Sequence, residues 1–354
     1  MRMRSCCVMS LFLLAAMALV QPAKSQAQQK PWLVRAVIVA TFEIGADTGD
    51  TPGEFQLWVE REHLDQEVDF PGGVRPLRTN AEHTVLGLVS GTTLVNATAS
   101  MMALGLDPRF DLTHAYILIN GIAGGDPQTT SLGSAVWADY VINDVAREID
   151  PREAPADWPY GIFPVGSTAP NPPALEPTLW FSSNLYPLNA KLTAWAFVQT
   201  KGLKLGDDAS AAAFRAVFKD FPIAQKPPFV LIGTTFASDT FWHGAIMTQY
   251  ARDWVRLQTG GKGTFATTEM EDAGFMNAIQ RLSAMHRVDA GRVMVLRTVS
   301  NYTQPRPGQT AIESITLPYK GMKMALESAY LCGSTVLDKI LADWDTTYAK
   351  IPGE

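Results

Sequence analysis

The 354 residues leave room for one large or two small domains, and a hydrophobic content of 47% is enough to fill a substantial core. A net charge of −6 without a basic cluster argues against a nucleic-acid partner. Three cysteines, five scattered histidines, no HExxH and no G-x-S-x-G leave no disulfide framework, no recognisable metal site and no serine-hydrolase elbow.

Residues 1–27 read as a targeting segment. Arg2 and Arg4 form its positive end, and Ser25-Gln26-Ala27 supplies the small residues before a cleavage point. The apolar stretch between them, Val8–Val20, is short of the ~20 residues a spanning helix needs. Cleavage after Ala27 is therefore expected, leaving residues 28–354 as a single domain in the periplasm or outside the cell. No later segment is apolar for ~18 residues, so the mature chain is not expected to span a membrane.

Leu33–Thr41 (LVRAVIVAT) predicts a strand buried on both faces, ending at Phe42, Glu43 and Ile44 before the polar run Asp47–Phe55. Glu43 stands just past the strand, where open α/β sheets place ligand groups; it equally suits a plain loop or helix-start carboxylate. Thr84–Val89 predicts a second strand, and Leu94–Leu104 a helix opened by Ser90-Gly91-Thr92-Thr93. Thr92 and Thr93 are thus candidates for holding an anion or a hydroxyl at a helix start, or simply its caps. Ala115–Asp126 (AYILINGIAGGD) predicts a buried strand running into a loop whose glycines, Gly121, Gly124 and Gly125, let the backbone turn close to a ligand.

Ser134–Ile142 predicts a further strand. Between residues 150 and 187 there are nine prolines interleaved with Trp158, Tyr160, Phe163 and Trp180, which predicts an irregular surface insertion, placed over the mouth of a site. Leu188–Leu203 and Asp208–Lys219 predict helices, and Phe229–Ile232 a strand. The hydroxyl-rich loop expected over residues 233–242 carries Phe236, Phe241 and Trp242, suited to gripping a flat ring.

From Met270, apolar residues at Ala273, Ala278, Ile279, Leu282 and Met285 predict a helix. Thr268-x-x-Glu271 is a capping-box pattern; a carboxylate there could equally accept two hydroxyls of a sugar. Arg292–Asn301 (RVMVLRTVSN) predicts a strand ending in Ser300 and Asn301. Asn301 can both donate to and accept from the edge of a heterocycle, or begin an Asx turn. Met322–Asp343 predicts a closing helix.

Three of these stretches together carry a resemblance. Gly121-Ile122-Ala123-Gly124-Gly125, Glu269-Met270-Glu271-Asp272-Ala273 and Arg297-Thr298-Val299-Ser300-Asn301 are similar, in that order, to motifs of the nucleoside phosphorylase superfamily. The mature chain, with its FEIGADTGDTPGEFQLWVE opening, resembles more closely the purine nucleoside permease branch of that superfamily. The resemblance implies an α/β fold, a three-layer α/β/α sandwich with a twisted, partly closed mixed sheet. It implies a purine nucleoside ligand, with Glu271 on the ribose hydroxyls, Met270 against the sugar and Asn301 facing the base. Many superfamily members carry Asp at position 301, where it acts as an acid; Asn can only hydrogen-bond the departing base. Thr41–Gly45 lacks a phosphate-gripping form and instead places Glu43 where it could orient a water, so hydrolysis is expected over phosphorolysis. No cofactor is expected, with phosphate the alternative co-substrate. A homo-oligomer and an unidentified transport partner are compatible with this reading, as is a soluble nucleoside-binding component that has lost catalysis.

Overall fold

Side-chain alternation along the central strands sets the layers. Val37, Val39, Ile117, Ile119, Val293 and Val295 project to one face, and Ile38, Ala40, Tyr116, Leu118, Met294 and Leu296 to the other. Both faces are apolar, so both must be covered, and each Val, Ile or Leu buried there contributes about 1.5–3 kcal/mol.

The computed structural model describes residues 30–175 and 184–352. The chain runs β1 (Trp32–Leu33), β2 (Ala36–Ala40), α1 (Gln56–Arg61), β3 (Gln66–Val68), β4 (Leu77–Thr79), β5 (Val85–Val89) and α2 (Leu94–Leu106). There follow β6 (Phe110–Asp111), β7 (Tyr116–Gly125), β8 (Ala135–Asn143), β9 (Arg147–Glu148), β10 (Ile162–Phe163) and β11 (Leu185–Pro187). Next are α3 (Ala190–Thr200), α4 (Ala209–Arg215), β12 (Val230–Ala237), α5 (Ala245–Gln258), β13 (Phe265–Glu269) and α6 (Asp272–Ala284). The last are β14 (Val293–Tyr302), α7 (Ala311–Ile315) and α8 (Met322–Ala342). The described residues from Pro31 onward form one compact unit.

One mixed sheet holds ten of the strands, in the order β11-β8-β12-β13-β7-β2-β5-β4-β3, with β14 bonded to both β7 and β8. Five of them, β7, β13, β12, β8 and β14, thereby close into a ring. Helices α2 and α6 cover one face and α1, α3 and α8 the other, giving three layers. The closure has one short seam. Strands β13 and β7 are antiparallel and pair only through Thr267 with Gly125 and Thr268 with Gly124. Because they overlap only at their carboxyl ends, the ends of β2, β5, β7, β12, β13 and β14 all converge on one region.

Several expectations change. Residues 121–125 are not a loop but the end of β7, and residues 233–237 belong to β12, because both segments find ladder partners that a sequence period does not reveal. Residues 265–269, for which no strand was expected, form β13. Helix α5 was not anticipated; its Tyr250, Ala251, Trp254 and Val255 pack on Ile142, Phe236 and Phe265. The proline-rich insertion holds short strands and leans on α5, where the Tyr160 hydroxyl donates to Asp253 at 2.9 Å. Among its described residues none lines the central cavity. The targeting segment lies outside the described residues.

Candidate functional site

A cavity of about 220 Å³ lies where the strand ends converge. It is lined by Thr41 and Phe42 after β2, Glu54 before α1, Thr92 before α2, and Ile122–Gly124 of β7. Thr240, Phe241 and Trp242 after β12, Thr268–Glu271 between β13 and α6, Ser300, Asn301 and Thr303 at the end of β14, and Tyr319 complete the wall.

Beneath it lies a buried charge cluster. Arg297, 1% exposed, sits mid-way along β14. Its Nε donates to Asp272 Oδ1 and Oδ2 at 3.2 and 3.1 Å, and its Nη2 to Oδ1 at 2.5 Å. Nη2 is also 3.5 Å from both Glu269 and Glu271, and Nη1 is 3.9 Å from Glu54. Gly121 is what admits this cluster: a Cβ there would collide with the Glu54 carboxylate and the guanidinium. Its missing side chain serves the protein's own charges rather than a tight turn.

One guanidinium faces four carboxyl groups, so full ionisation of all four is costly. Burial pushes Glu271 up to about 7, with Arg297 opposing and Glu54 adding to the rise. Burial and the neighbouring Asp272 hold Glu269 far above the carboxylate range. Glu54 is likewise raised by burial, against Arg297 and its hydrogen bonds. Arg297 stays charged, because its carboxylate neighbours outweigh the burial that would discharge it.

Each carboxylate is held in place. Glu54 accepts from Thr41 N at 2.8 Å, Thr41 Oγ1 at 2.7 Å and Ile122 N at 2.7 Å. Glu269 accepts from the backbone N–H groups of Glu271 and Asp272, at 2.6 and 2.7 Å. Glu271 accepts from Thr93 N and Met270 N, both at 3.2 Å. Gly274 brings α6 against α2 closely enough for this, since a Cβ there would overlap the Leu94 carbonyl.

Thr92, Gly124, Phe241, Met270, Glu271, Ser300 and Asn301 are thus gathered around one cavity. Three other candidates stand differently. Glu43 accepts from the backbone N–H groups of Ile44, Gly53, Phe55 and Gln56. Both its oxygens are spent shaping the loop, and Glu54 is the carboxylate that reaches the cavity. Thr93 contributes its backbone, not its hydroxyl: its N–H goes to Glu271, while Leu94 N donates to Asp239 at 2.8 Å. Those two carboxylates already complement the α2 dipole, so the helix start is not an open anion site. Gly125 is packed against Thr130 and Val299 outside the cavity. The Thr268–Glu271 capping box also does not form. Thr268 is a strand residue whose hydroxyl donates to Phe236 O, and Glu271 makes no side-chain cap bond; the box occurs instead at Thr310 and Glu313.

Glu54 and Glu269 were not singled out from the sequence. Glu54 is one of four acids in an aperiodic loop, with Glu43, Asp47 and Asp50. Arg297 did carry a signal, as a charge inside VMVLRTVS, because a buried charge requires partners. Around Asn301, Ser300 Oγ donates to Oδ1 at 2.9 Å and Nδ2 donates to Tyr302 O at 3.2 Å. With Oδ1 occupied, the amide's remaining N–H is its offer to a ligand. The Trp242 indole N–H is a second buried donor at the cavity wall with no partner among the described residues.

A sequence model of the purine nucleoside permease family matches residues 33–352. The chain belongs to that family. A purine nucleoside permease of Candida albicans is 27% identical over 332 residues, covering 90% of this chain and 78% of that protein. A probable purine nucleoside permease of Schizosaccharomyces pombe is 30% identical over 273 residues, covering 75% and 78%. Solved structures share the fold. The 5'-methylthioadenosine/S-adenosyl homocysteine nucleosidase of Helicobacter pylori superposes with a TM-score of 0.52 at 14% identity, over 86% of this chain and 99% of that one. The futalosine hydrolase of the same organism gives 0.52 at 14%, over 86% and 98%. The family name notwithstanding, no helix among the described residues is long and apolar enough to cross a membrane.

Proposed function

We propose that the cavity binds a purine nucleoside and that the chain cleaves its N-glycosidic bond with water. The observation that carries this is the pairing of Glu54 and Glu271 through Arg297 at a cavity where, among the described residues, no lysine or arginine lines the wall. Phosphate would need charge-assisted donors. Arg61 is paired with Glu327, and Arg75 and Arg78 with Asp47.

In this reading Glu271 accepts the ribose hydroxyls and Met270 packs on the sugar, while Phe241 stacks on the base. The free N–H of Asn301 donates to purine N7. Glu54 accepts a proton as the water oxygen bonds to the anomeric carbon. The C–N bond breaks with its electron pair passing to the base, held by Asn301, and the base takes a proton from solvent. No cofactor enters. The export role of residues 1–27 is part of the proposal: a periplasmic or secreted chain beginning at Gln28.

A second reading is favoured by Asn301 itself, which cannot act as an acid: a nucleoside-binding component of uptake without turnover. Incubating inosine, guanosine and adenosine with the purified chain, with and without phosphate, separates the two. Free ribose and base without phosphate support hydrolysis; saturable binding with no product leaves the uptake role. Strictly phosphate-dependent ribose 1-phosphate overturns the choice of water.

A further inference from the structure

A second cavity of about 320 Å³ adjoins the first, sharing Asn301, Phe241 and Tyr319 with it. The Phe241 and Tyr319 rings are parallel, at 7° with centroids 6.3 Å apart, and line both spaces. Behind them the second cavity changes character. Its wall carries Arg306, Lys320, His243, Gln304 and Gln309, and among its described lining residues there is no Asp or Glu. Ile315, Leu317 and Pro318 supply an apolar floor. The His243 Nε2 is enclosed and has no hydrogen-bond partner among the described residues. The nearest acid on the same segment, Glu313, is engaged by the N–H and hydroxyl of Thr310 at 2.8 and 2.7 Å.

We propose that this annex receives an arm on the purine ring, extending from C6 beyond Asn301 and ending in a carboxylate. The inference rests on the proposed base-facing role of Asn301. With N7 against that amide, C6 is the neighbouring edge, and a substituent there points past Asn301 rather than toward the sugar. The arm needs apolar contact along its length and donors at its end, which the floor and the Arg306, Lys320 and Gln309 rim provide. An anion at the other end of the nucleoside, a 5'-phosphate, would lie on the sugar side, where the first cavity's described wall carries carboxyl groups and no lysine or arginine.

Titration calorimetry with four probes tests this: adenosine, N6-(1,2-dicarboxyethyl)adenosine, its dimethyl ester and adenosine 5'-monophosphate. The dicarboxylate should bind at least tenfold more tightly than its ester. In the double variant Arg306→Gln, Lys320→Gln that advantage should vanish while adenosine affinity changes less than twofold. Equal binding of acid and ester to the unaltered chain overturns the annex, as does an equal loss of 5'-monophosphate binding in the double variant. Adenosine binding without dicarboxylate binding overturns the annex alone; failure of every nucleoside to bind overturns the nucleoside reading beneath it.

Discussion

Asp272 receives Arg297 along its Nε–Nη2 edge, at 2.5 to 3.2 Å, so the guanidinium is fixed by a residue that does not line the cavity. What remains of it faces Glu54, Glu269 and Glu271. The arginine is therefore a buried support on which the cavity's acids are hung, and its removal should be felt twice. Arg297→Met is expected to cost about 3–5 kcal/mol of stability, because it strands buried carboxyl groups. Urea unfolding measures the loss, and nucleoside titration at a temperature where the variant stays folded should show weakened binding as well. A variant of unchanged stability would mean that the cluster is neutral in the fold.

Removing Glu271 should separate sugar binding from folding. Its side chain makes no cap bond to α6, and an amide oxygen can still accept from Thr93 N at the start of α2, so Glu271→Gln preserves shape and should shift stability by about 1 kcal/mol or less. Nucleoside affinity should fall at least tenfold by titration, since an amide offers one acceptor oxygen in place of two. Unchanged affinity would remove the ribose contact.

Glu54 and Glu43 should respond differently to the same change. Glu54→Gln is expected to slow ribose release roughly 10²–10⁴-fold with little effect on binding, the range of a lost general base. Glu43→Gln weakens hydrogen bonds to four backbone N–H groups and should cost about 1–3 kcal/mol in unfolding, with turnover retained by the folded fraction. The reverse pattern, measured by initial rates and denaturation, would return the chemistry to Glu43.

Stability and ligand binding should run in opposite directions with pH. Glu271 lies near 7 in the folded chain against 4.5 unfolded, and Glu54 and Glu269 are raised as well. The fold therefore binds more protons than the unfolded chain above pH 4.5. That contribution is fully present below about 4.5 and is lost as the pH rises through 7. Binding instead needs Glu271 as a carboxylate and should strengthen across the same interval. Melting temperature and nucleoside affinity measured from pH 5 to 8.5 check both trends; parallel trends would contradict the role of Glu271.

The sequence disclosed the layers more readily than the site. Unbroken apolar runs at Ala36–Ala40, Tyr116–Ile119 and Val293–Leu296 were readable because strands buried on both faces need no alternation. The strand Phe265–Glu269 was not, since Thr267, Thr268 and Glu269 look polar, although Thr267 and Glu269 are buried and Thr267 and Thr268 pair with β7. Asn301 and Glu271 stood out by pattern. Glu54 did not, because its selection over Glu43 depends on which carboxylate the loop's own N–H groups consume, and no spacing rule expresses that.

The two-pair seam between β7 and β13 is the shortest ladder in the ring, and the site straddles it. Gly124 and Asn301 belong to one arm of the ring, while Thr268 and Glu269 belong to the other, and they face each other only after that junction closes. A ligand touching both arms acts as a clasp across the weakest pairing in the ring. Occupancy should accordingly slow amide hydrogen exchange at Gly125 and Thr268 more than at β2 or β5, whose ladders close without it.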